Sequence, residues 1–475
     1  MSPPNTTLFE SSVELPVSVD RSFAYHESLG ALQRLVPVWE NAKVIESDRS
    51  LKPGSKVTLQ VKKFGLPLTW KAVHRAYDPP HLFSDYQASG PFAVWEHEHR
   101  FTAVSDTTSR LTDHIQYRIP AGGLGTRLMG STIRKDIASM FRYRHAVTQN
   151  DLQLSKRVGC DHPLRIAISG STGMVGNRLV SLLTILGHDV CRMVRTGSQT
   201  ETDLKENDPL EAATIDWDPR SGLADPEQVS GFDAVIHLAG ANIAGGRWTV
   251  QRKQILRDSR VGPTQKLAEQ LAALSNPPKA FVTASGAGIY GDRGDEWLGE
   301  ESAIGVGFLA ELARDWEAAT EPAKTAGIRV CQSRFPPILH PREGALGKTI
   351  PLFKMMLGGR LGSGNQYFSW IEFDDAVSVL LWLATQPQCV GAFNVATPNP
   401  PTNKEFTRVL SGVLKRPARL PAPAWGLRLA LGEMADSLLL ASNRLDVSKL
   451  QESGYEFRFP ELDGALRHLC GTESA

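Results

Sequence analysis

The stretch Arg165-Ile-Ala-Ile-Ser-Gly170-Ser-Thr-Gly173-Met-Val-Gly176 decides the fold of the larger part of this chain. Arg165–Ser169 is a short apolar strand, the three glycines follow at once, and Asn177–Leu186 reads as a helix ended by Gly187-His188. Val190–Val194 is the next strand. Gly170 permits a tight turn, Gly173 clears a side chain from the path of a phosphate, and Gly176 lets the helix lie against the strand. The free N–H groups of a helix N-terminus bind anions. In a strand–loop–helix–strand context this spacing predicts a dinucleotide-binding loop made by Gly170, Thr172, Gly173, Met174, Val175 and Gly176.

Later strands, Ala234–Leu238, Ala280–Ala284, Ile328–Ser333 and Gly391–Val395, alternate with helical segments. That alternation predicts an α/β domain with a doubly wound parallel sheet. The strand ending Ile236-His237-Leu238-Ala239-Gly240 has small residues where such sheets bind ligands, so Leu238, Ala239 and Gly240 join the expected cofactor site. His237, inside an apolar run, reads as a packed core histidine. The second strand ends Val194-Arg195-Thr196 rather than in an acidic residue. A guanidinium there pairs with a 2′-phosphate, which favours NADP(H) over NAD(H) and singles out Arg195. Arg192 is read as facing the other side, and Asp216 as lying near the adenine.

Upstream the periodicity changes. Leu8–Leu15, Val44–Asp48, Ser55–Lys63, Pro67–Ala76, Leu82–Ala88, Ala93–Val104 and Ser109–Ile119 read as strands, with a helix around Ser22–Leu35. After Pro120-Ala-Gly-Gly-Leu-Gly125 a long helix runs to about Asn150, with Met129, Ile133, Ile137, Met140 and Phe141 on one face. Arg134, Lys135, Arg142 and Arg144 form a solvated face of that helix. The polar stretch Ser155–Pro163 is the expected linker. Trp425–Ala441 contains Arg428, Glu433 and Asp436; it is too interrupted for a membrane span and reads as a packed helix.

Lys+Arg (52) and Asp+Glu (51) nearly cancel over the 475 residues. The net charge of +1 gives no reason to expect nucleic acid or an anionic membrane as partner. The five cysteines, Cys160, Cys191, Cys331, Cys389 and Cys470, form no CxxC pair. They suit a reducing cytoplasm, and no metal site is expected.

Seven antiparallel strands closed by one long helix resemble the START/polyketide-cyclase-like (SRPBCC) helix-grip superfamily over residues 1–155. That resemblance implies a curved sheet holding an apolar small molecule. From about residue 164 to 470 the chain resembles the extended short-chain dehydrogenases, in the atypical "epimerase family protein" branch. The residues that carry this are Gly170–Gly176, His237-Leu-Ala-Gly240, Ala284-Ser285-Gly-Ala-Gly-Ile-Tyr290-Gly291, Arg334 and Trp370-Ile-Glu-Phe-Asp374-Asp375. Gly246-Arg247-Trp248-Thr249, Phe308-Leu309-Ala310-Glu311-Leu312 and Asp315-Trp316-Glu317 narrow it to that branch. It implies a Rossmann domain over 164–400, a small, mainly helical C-terminal lobe over 401–475, and NAD(P)-linked chemistry on a small-molecule substrate.

The family mechanism uses Ser or Thr and a Tyr-x-x-x-Lys pair, yet Gly307–Trp316 has neither Tyr nor Lys. Ser285, Tyr290 and Glu311 are the candidate catalytic residues, with Ser285 and Arg334 also expected near the cofactor. Asp374 and Asp375 are expected to cap a helix and fix a loop, Trp248 to pack, and Arg247 to contact an anion. Three readings follow: an NADP(H)-dependent oxidoreductase or epimerase-like enzyme with an unusual proton donor, a non-catalytic NADP(H) sensor or scaffold, and a lipid or polyketide binder regulated by its Rossmann domain.

Overall fold

The computed structural model describes residues 6–472 apart from 64–65, 121, 161, 201, 203 and 205–207. Ala121, in the expected lead-in to the long helix, lies outside the described residues. The N-terminal strands are β1 (Thr7–Leu15), β2 (Ala42–Ser47), β3 (Lys56–Lys63), β4 (Leu66–Asp78), β5 (Leu82–Ser89), β6 (Val94–Ser105) and β7 (Thr108–Arg118). They form one antiparallel sheet in the order β1-β7-β6-β5-β4-β3-β2. Alternating burial along β1 and β7 reflects the period-2 pattern that made these strands legible.

The helix expected over Ser22–Leu35 is two helices, α1 (Val19–Glu27) and α2 (Ala31–Leu35). The chain breaks at Ser28–Gly30 because it grazes the second domain: a Cβ on Gly30 would lie 2.7 Å from the Ser181 carbonyl oxygen. The long helix α3 (Gly122–Val158) also runs past Asn150, so residues 155–158 are helix rather than linker. Its end is pinned by buried Leu152 and Leu154, which share a core with strands and helices of the second domain. Within α3, Arg134, Lys135 and Arg142 are exposed as expected, but Arg144 is half-buried, its guanidinium 5.2 Å from the Phe141 ring centre.

The second sheet contains β8 (Arg165–Ser169), β9 (Asp189–Arg195), β10 (Ala213–Asp218), β11 (Gly222–Leu223), β12 (Ala234–His237) and β13 (Ala280–Gly286). After the short β14 (Trp297–Leu298) come β15 (Arg329–Phe335), the two-residue strands β16 (Ile338–Leu339) and β17 (Ile371–Glu372), and β18 (Gly391–Asn394). The order is β11-β10-β9-β8-β12-β13-β15-β18, parallel except for the β10–β11 pair. The chain moves one way from β8 to β9 and returns to the other side of β8 with β12. The crevice at the carboxyl ends of β8 and β12 is therefore the topological switch point, where such sheets bind ligands.

The two domains meet through a buried charge network. Arg34 of α2 donates to both oxygens of Asp151 (2.8 and 2.7 Å) and to Asp374. Arg178, on α4 (Met174–Leu186), grips Asp374 through Nε and Nη2, both at 2.8 Å, and donates to the Tyr143 hydroxyl at 2.7 Å. Asp374 thus joins two domains, while the cap of the helix Phe373–Thr385 is Glu372, which accepts from the Asp374 and Asp375 N–H groups. Asp375 fixes a loop as expected, accepting from the Tyr455 hydroxyl and the Arg458 and Phe459 N–H groups.

In the C-terminal lobe, the helix Asn403–Leu414 starts with a Thr402/Glu405 capping box. The expected packed helix Trp425–Ala441 is not one. Its first part, Ala424–Leu431, has no buried residue, with Trp425 and Leu429 71% and 73% exposed; beyond Gly432 a short turn, Glu433–Ala435, buries Met434 and Ala435 and passes into a π-helical turn, Asp436–Leu440. Gly432, at φ 65°, ends the first part. Among the described residues no helix is long and apolar enough to cross a membrane.

Candidate functional site

The glycine loop sits at the switch point, with its backbone drawn tight. Gly170 has φ +68°, and a Cβ there would meet the Leu238 carbonyl carbon at 2.8 Å. A Cβ on Gly176 would lie 2.2 Å from the Gly170 oxygen, so a residue with any side chain would push α4 off β8. Gly173 is the N-cap of α4, and it and Thr172 are exposed where an incoming anion would meet the first helical turn. Met174 and Val175 follow, half-buried, in that turn. Ser171, within the loop, is buried and its Oγ has no hydrogen-bond partner. An unsatisfied hydroxyl and a side-chain-free cradle on a helix N-terminus fit a diphosphate-bearing cofactor.

The two arginines of β9 separate cleanly. Arg192 is buried, paired with Asp208 at 2.7 Å, and donates to the Ser171 carbonyl at 2.9 Å. It is a strut beneath the loop. Arg195 ends the strand exposed, beside Trp217 of β10. Asp216 pairs in register with Val194. Leu238 closes the far wall of the crevice, its N–H donating to the Ser169 hydroxyl oxygen (3.2 Å), while Ala239 and Gly240 continue past it. His237 is a core residue: its Nδ1 lies 2.6 Å from the Ser169 Oγ, and burial pushes its pKa down to about 4, so the ring is neutral. Trp248 packs as expected, donating to the Ile243 carbonyl at 2.9 Å beside Phe308, and Arg247 is exposed.

At the carboxyl ends of β13 and β15 a polar cluster stands where the dehydrogenase triad is expected. Ser285 donates from Oγ to Glu317 Oε1 at 2.7 Å. Arg334 clasps Glu317 with Nε and Nη2, each at 2.8 Å. Its Nη1 donates to the Tyr290 hydroxyl at 2.8 Å, and that hydroxyl donates to Asn394 Oδ1 at 2.7 Å. Burial pushes the Tyr290 phenol up to about 12 although Arg334 pulls the other way. For Arg334, burial is outweighed by the Glu317 carboxylate, and its pKa rises. Ser285, Tyr290 and Arg334 are therefore brought together, whereas Glu311 is exposed on the helix Phe308–Ala318.

Glu317 is the residue that sequence reasoning passed over. Counting about 25 residues on from Ser285 or Gly286 lands on Ala310 or Glu311, nearly two helical turns earlier. A signal existed: Ala310, Ala313 and Glu317 follow at steps of three and four, and both alanines are buried, so a carboxylate falls on an inward stripe. Leu309 packs against Gly288, where a Cβ would meet it at 2.9 Å.

The doubly wound sheet with its glycine loop at the switch point defines a Rossmann-type protein, preceded by a helix-grip domain. The model described as "NAD dependent epimerase/dehydratase family" matches residues 166–396. "Polyketide cyclase / dehydrase and lipid transport" matches 15–142, and a domain of unknown function, DUF1731, matches 422–469. The epimerase family protein MT2273 of Mycobacterium tuberculosis is 39% identical over 302 residues, 63% of this chain and 96% of the relative. YfhF of Bacillus subtilis, another epimerase family protein, is 33% identical over 307 residues, 64% of this chain and 98% of the relative.

Among solved structures, a nucleoside-diphosphate sugar epimerase from Corynebacterium glutamicum superposes with a TM-score of 0.76 at 30% identity, covering 98% of this chain and 90% of that one. Human epimerase family protein SDR39U1, solved with NADPH, gives a TM-score of 0.57 at 29% identity, over 65% of this chain and 99% of that one. The chain belongs to the NAD-dependent epimerase/dehydratase family, in the branch of epimerase family proteins, and carries a polyketide-cyclase-type domain before it.

Proposed function

We propose that this protein is an NADP(H)-dependent oxidoreductase or epimerase-like enzyme in which Ser285, Glu317 and Arg334 stand in for the missing Tyr-x-x-x-Lys pair. The observation that carries this reading is the Ser285–Glu317–Arg334 cluster at the carboxyl end of the sheet that bears the glycine loop. Gly170, Thr172, Gly173, Met174, Val175 and Gly176 would hold the diphosphate, with Leu238, Ala239 and Gly240 along the crevice and Arg195 at the 2′-phosphate. With NADP(H) held there, the nicotinamide would supply hydride-transfer chemistry at the substrate carbon. Ser285 takes the hydroxyl proton of an alcohol substrate as its own proton passes to Glu317; reduction runs these transfers backwards. Arg334 keeps Glu317 aimed at Ser285, and Tyr290 orients Arg334. The NADPH-bound relative supports the cofactor, and the exposure of Arg195 supports NADP(H) over NAD(H).

Glu317→Gln keeps the size of the side chain and removes its basicity. Turnover is expected to fall by about 100-fold or more, with NADPH affinity changed less than about twofold. Unchanged hydride transfer in both Glu317→Gln and Ser285→Ala, followed at the nicotinamide absorbance, would defeat this mechanism. NADPH binding with no turnover of any alcohol or nucleotide-sugar substrate would instead support the sensor reading. Arg195→Asp is expected to move the NADPH-to-NADH affinity ratio toward NADH by at least about tenfold, measured by fluorescence titration of each cofactor. Cys191, Cys331, Cys389 and Cys470 are in no disulfide, which supports action in the cytoplasm. The matched family description supports an apolar small molecule as ligand of the N-terminal domain, to be sought by mass spectrometry of co-purified lipids.

A further inference from the structure

The inner face of the helix-grip sheet is not uniformly apolar. Aromatic and aliphatic side chains fill its two ends: Trp95, Ile115, Tyr117 and Phe141 at one, Phe23, Phe83 and Phe101 at the other. Between them lies a group of histidines and aspartates. His74 of β4, Asp85 of β5 and His97 of β6 pair in register across three strands, and His99 of β6 pairs with Asp113 of β7. Burying so many ionisable groups in a small domain needs a compensating reason.

We propose that Asp85, His97 and His99 form a binding site for a divalent transition-metal ion of the zinc class. One ligand atom from each of the three lies within 4.8 Å of the others. The distance from His97 Nδ1 to Asp85 Oδ2 is 3.5 Å, long for a hydrogen bond. It matches the edge of about 3.3 Å between neighbouring ligands of a tetrahedral ion with bonds of about 2.0–2.1 Å. The other side of the His97 ring is held in the way metal-binding histidines are held: Nε2 lies 3.0 Å from Asp113 Oδ1. Asp113 also lies 2.7 Å from His99 Nδ1 and 2.6 Å from His145 Nε2. These separations are too short for two ligands of one ion, so Asp113 is the carboxylate behind the site and not a ligand. His99 is set by stacking on Phe83, ring centres 4.1 Å apart.

A second observation points to the same place. His74 is only 8% exposed, sits opposite Asp85 in the β4–β5 register, and its Nδ1 has no hydrogen-bond partner. Two imidazoles and a carboxylate are a donor set suited to zinc and its neighbours, and an orphaned imidazole nitrogen stands on the adjoining strand. A groove of about 470 Å³ between β1 and α3 is lined by Ser11, Arg142 and His145, the last of which bonds Asp113. The other histidine–carboxylate group among the described residues, Glu372, Asp374 and His468, is already engaged through Asp374 by Arg34 and Arg178. No metal was expected from the sequence: His97-Glu98-His99 puts two imidazoles on one face of β6, but Asp85 comes from another strand and no spacing in the chain points to it.

The test uses the intact chain and does not depend on the cofactor reading. Metal content is measured by mass spectrometry on the protein as isolated; after treatment with EDTA, cobalt(II) is titrated in. One equivalent of zinc-class metal, or intense visible cobalt bands that saturate at one equivalent, is the expected result. Asp85→Asn and His99→Gln should each weaken binding at least tenfold, while Arg195→Ala leaves it unchanged. A metal-free isolate that gives only weak octahedral cobalt bands in excess metal would overturn the proposal without any variant. So would tight binding that survives in the Asp85→Asn/His99→Gln double variant. Thermal unfolding of each apo variant, compared with the apo parent, separates lost ligation from lost folding.

Discussion

Asp374→Ala is expected to destabilise the folded chain by about 3–5 kcal/mol, the range found when one partner of a buried ion pair is removed. Asp374 is fully enclosed and stands against two guanidiniums, Arg34 of the helix-grip domain and Arg178 of the Rossmann domain. A third, Arg458, reaches Asp151 at 2.9 Å. Without Asp374, the Arg178 guanidinium loses its carboxylate partner and Arg34 keeps only Asp151, which it shares with Arg458. The exposed pair Arg49–Glu211 also bridges the domains, and Glu211→Ala should change stability by less than about 1 kcal/mol. Chemical denaturation of both variants checks the contrast; equal effects would mean that the buried network does not hold the domains together.

The same network sets an acid limit. Burial alone would raise Asp374 and Asp151, but Arg178 and Arg34 for the first, and Arg34 and Arg458 for the second, hold both below the usual range. Carboxylates with depressed folded values contribute fully above their unfolded pKa of about 4 and lose that contribution as pH falls through the folded values. Stability is therefore expected to drop below about pH 4, and less steeply in Asp374→Asn, which a pH series of unfolding midpoints would show.

Gly173→Asp is expected to abolish cofactor binding while leaving the fold intact, lowering NADPH affinity by at least about 100-fold, or about 2.7 kcal/mol. The backbone at Gly173 is extended (φ −72°, ψ 169°), the conformation of an N-cap, where Asp is among the preferred residues. A Cβ there meets only the Gly170 oxygen, at 3.3 Å, so the loop needs to give by a few tenths of an ångström at most. The new carboxylate would occupy the N–H-rich end of α4 that the cofactor diphosphate needs, and like charges repel across it. Unchanged melting with lost binding is the expected pair of results. Retained binding would remove the glycine loop from the cofactor site.

Much of the fold was legible because its signals are local. All seven strands of the first sheet were placed to within about three residues, since side chains alternate across a strand and turn residues mark its ends. The glycine loop was legible because a positive φ at Gly170 and a backbone approach at Gly176 leave only one residue type. Failures came where a distant segment intervened. The break at Gly30 answers to Ser181, and the continuation of α3 to Val158 answers to a core shared with the second domain.

By itself the sequence determined two successive architectures, from a change of period at about residue 160, and a phosphate-type loop whose geometry follows from chain neighbours. Tertiary structure alone decided which polar groups meet. Arg34 reaches Asp374 across 340 positions, Arg334 clasps Glu317 across 17, and His74, Asp85, His97 and Asp113 converge from four strands. Propensity and periodicity come from a residue's own backbone and nearest turns. The partner of a buried charge is set by strand register and by how helices stack on a sheet, and a charge excluded from water must find that partner wherever the fold brings one.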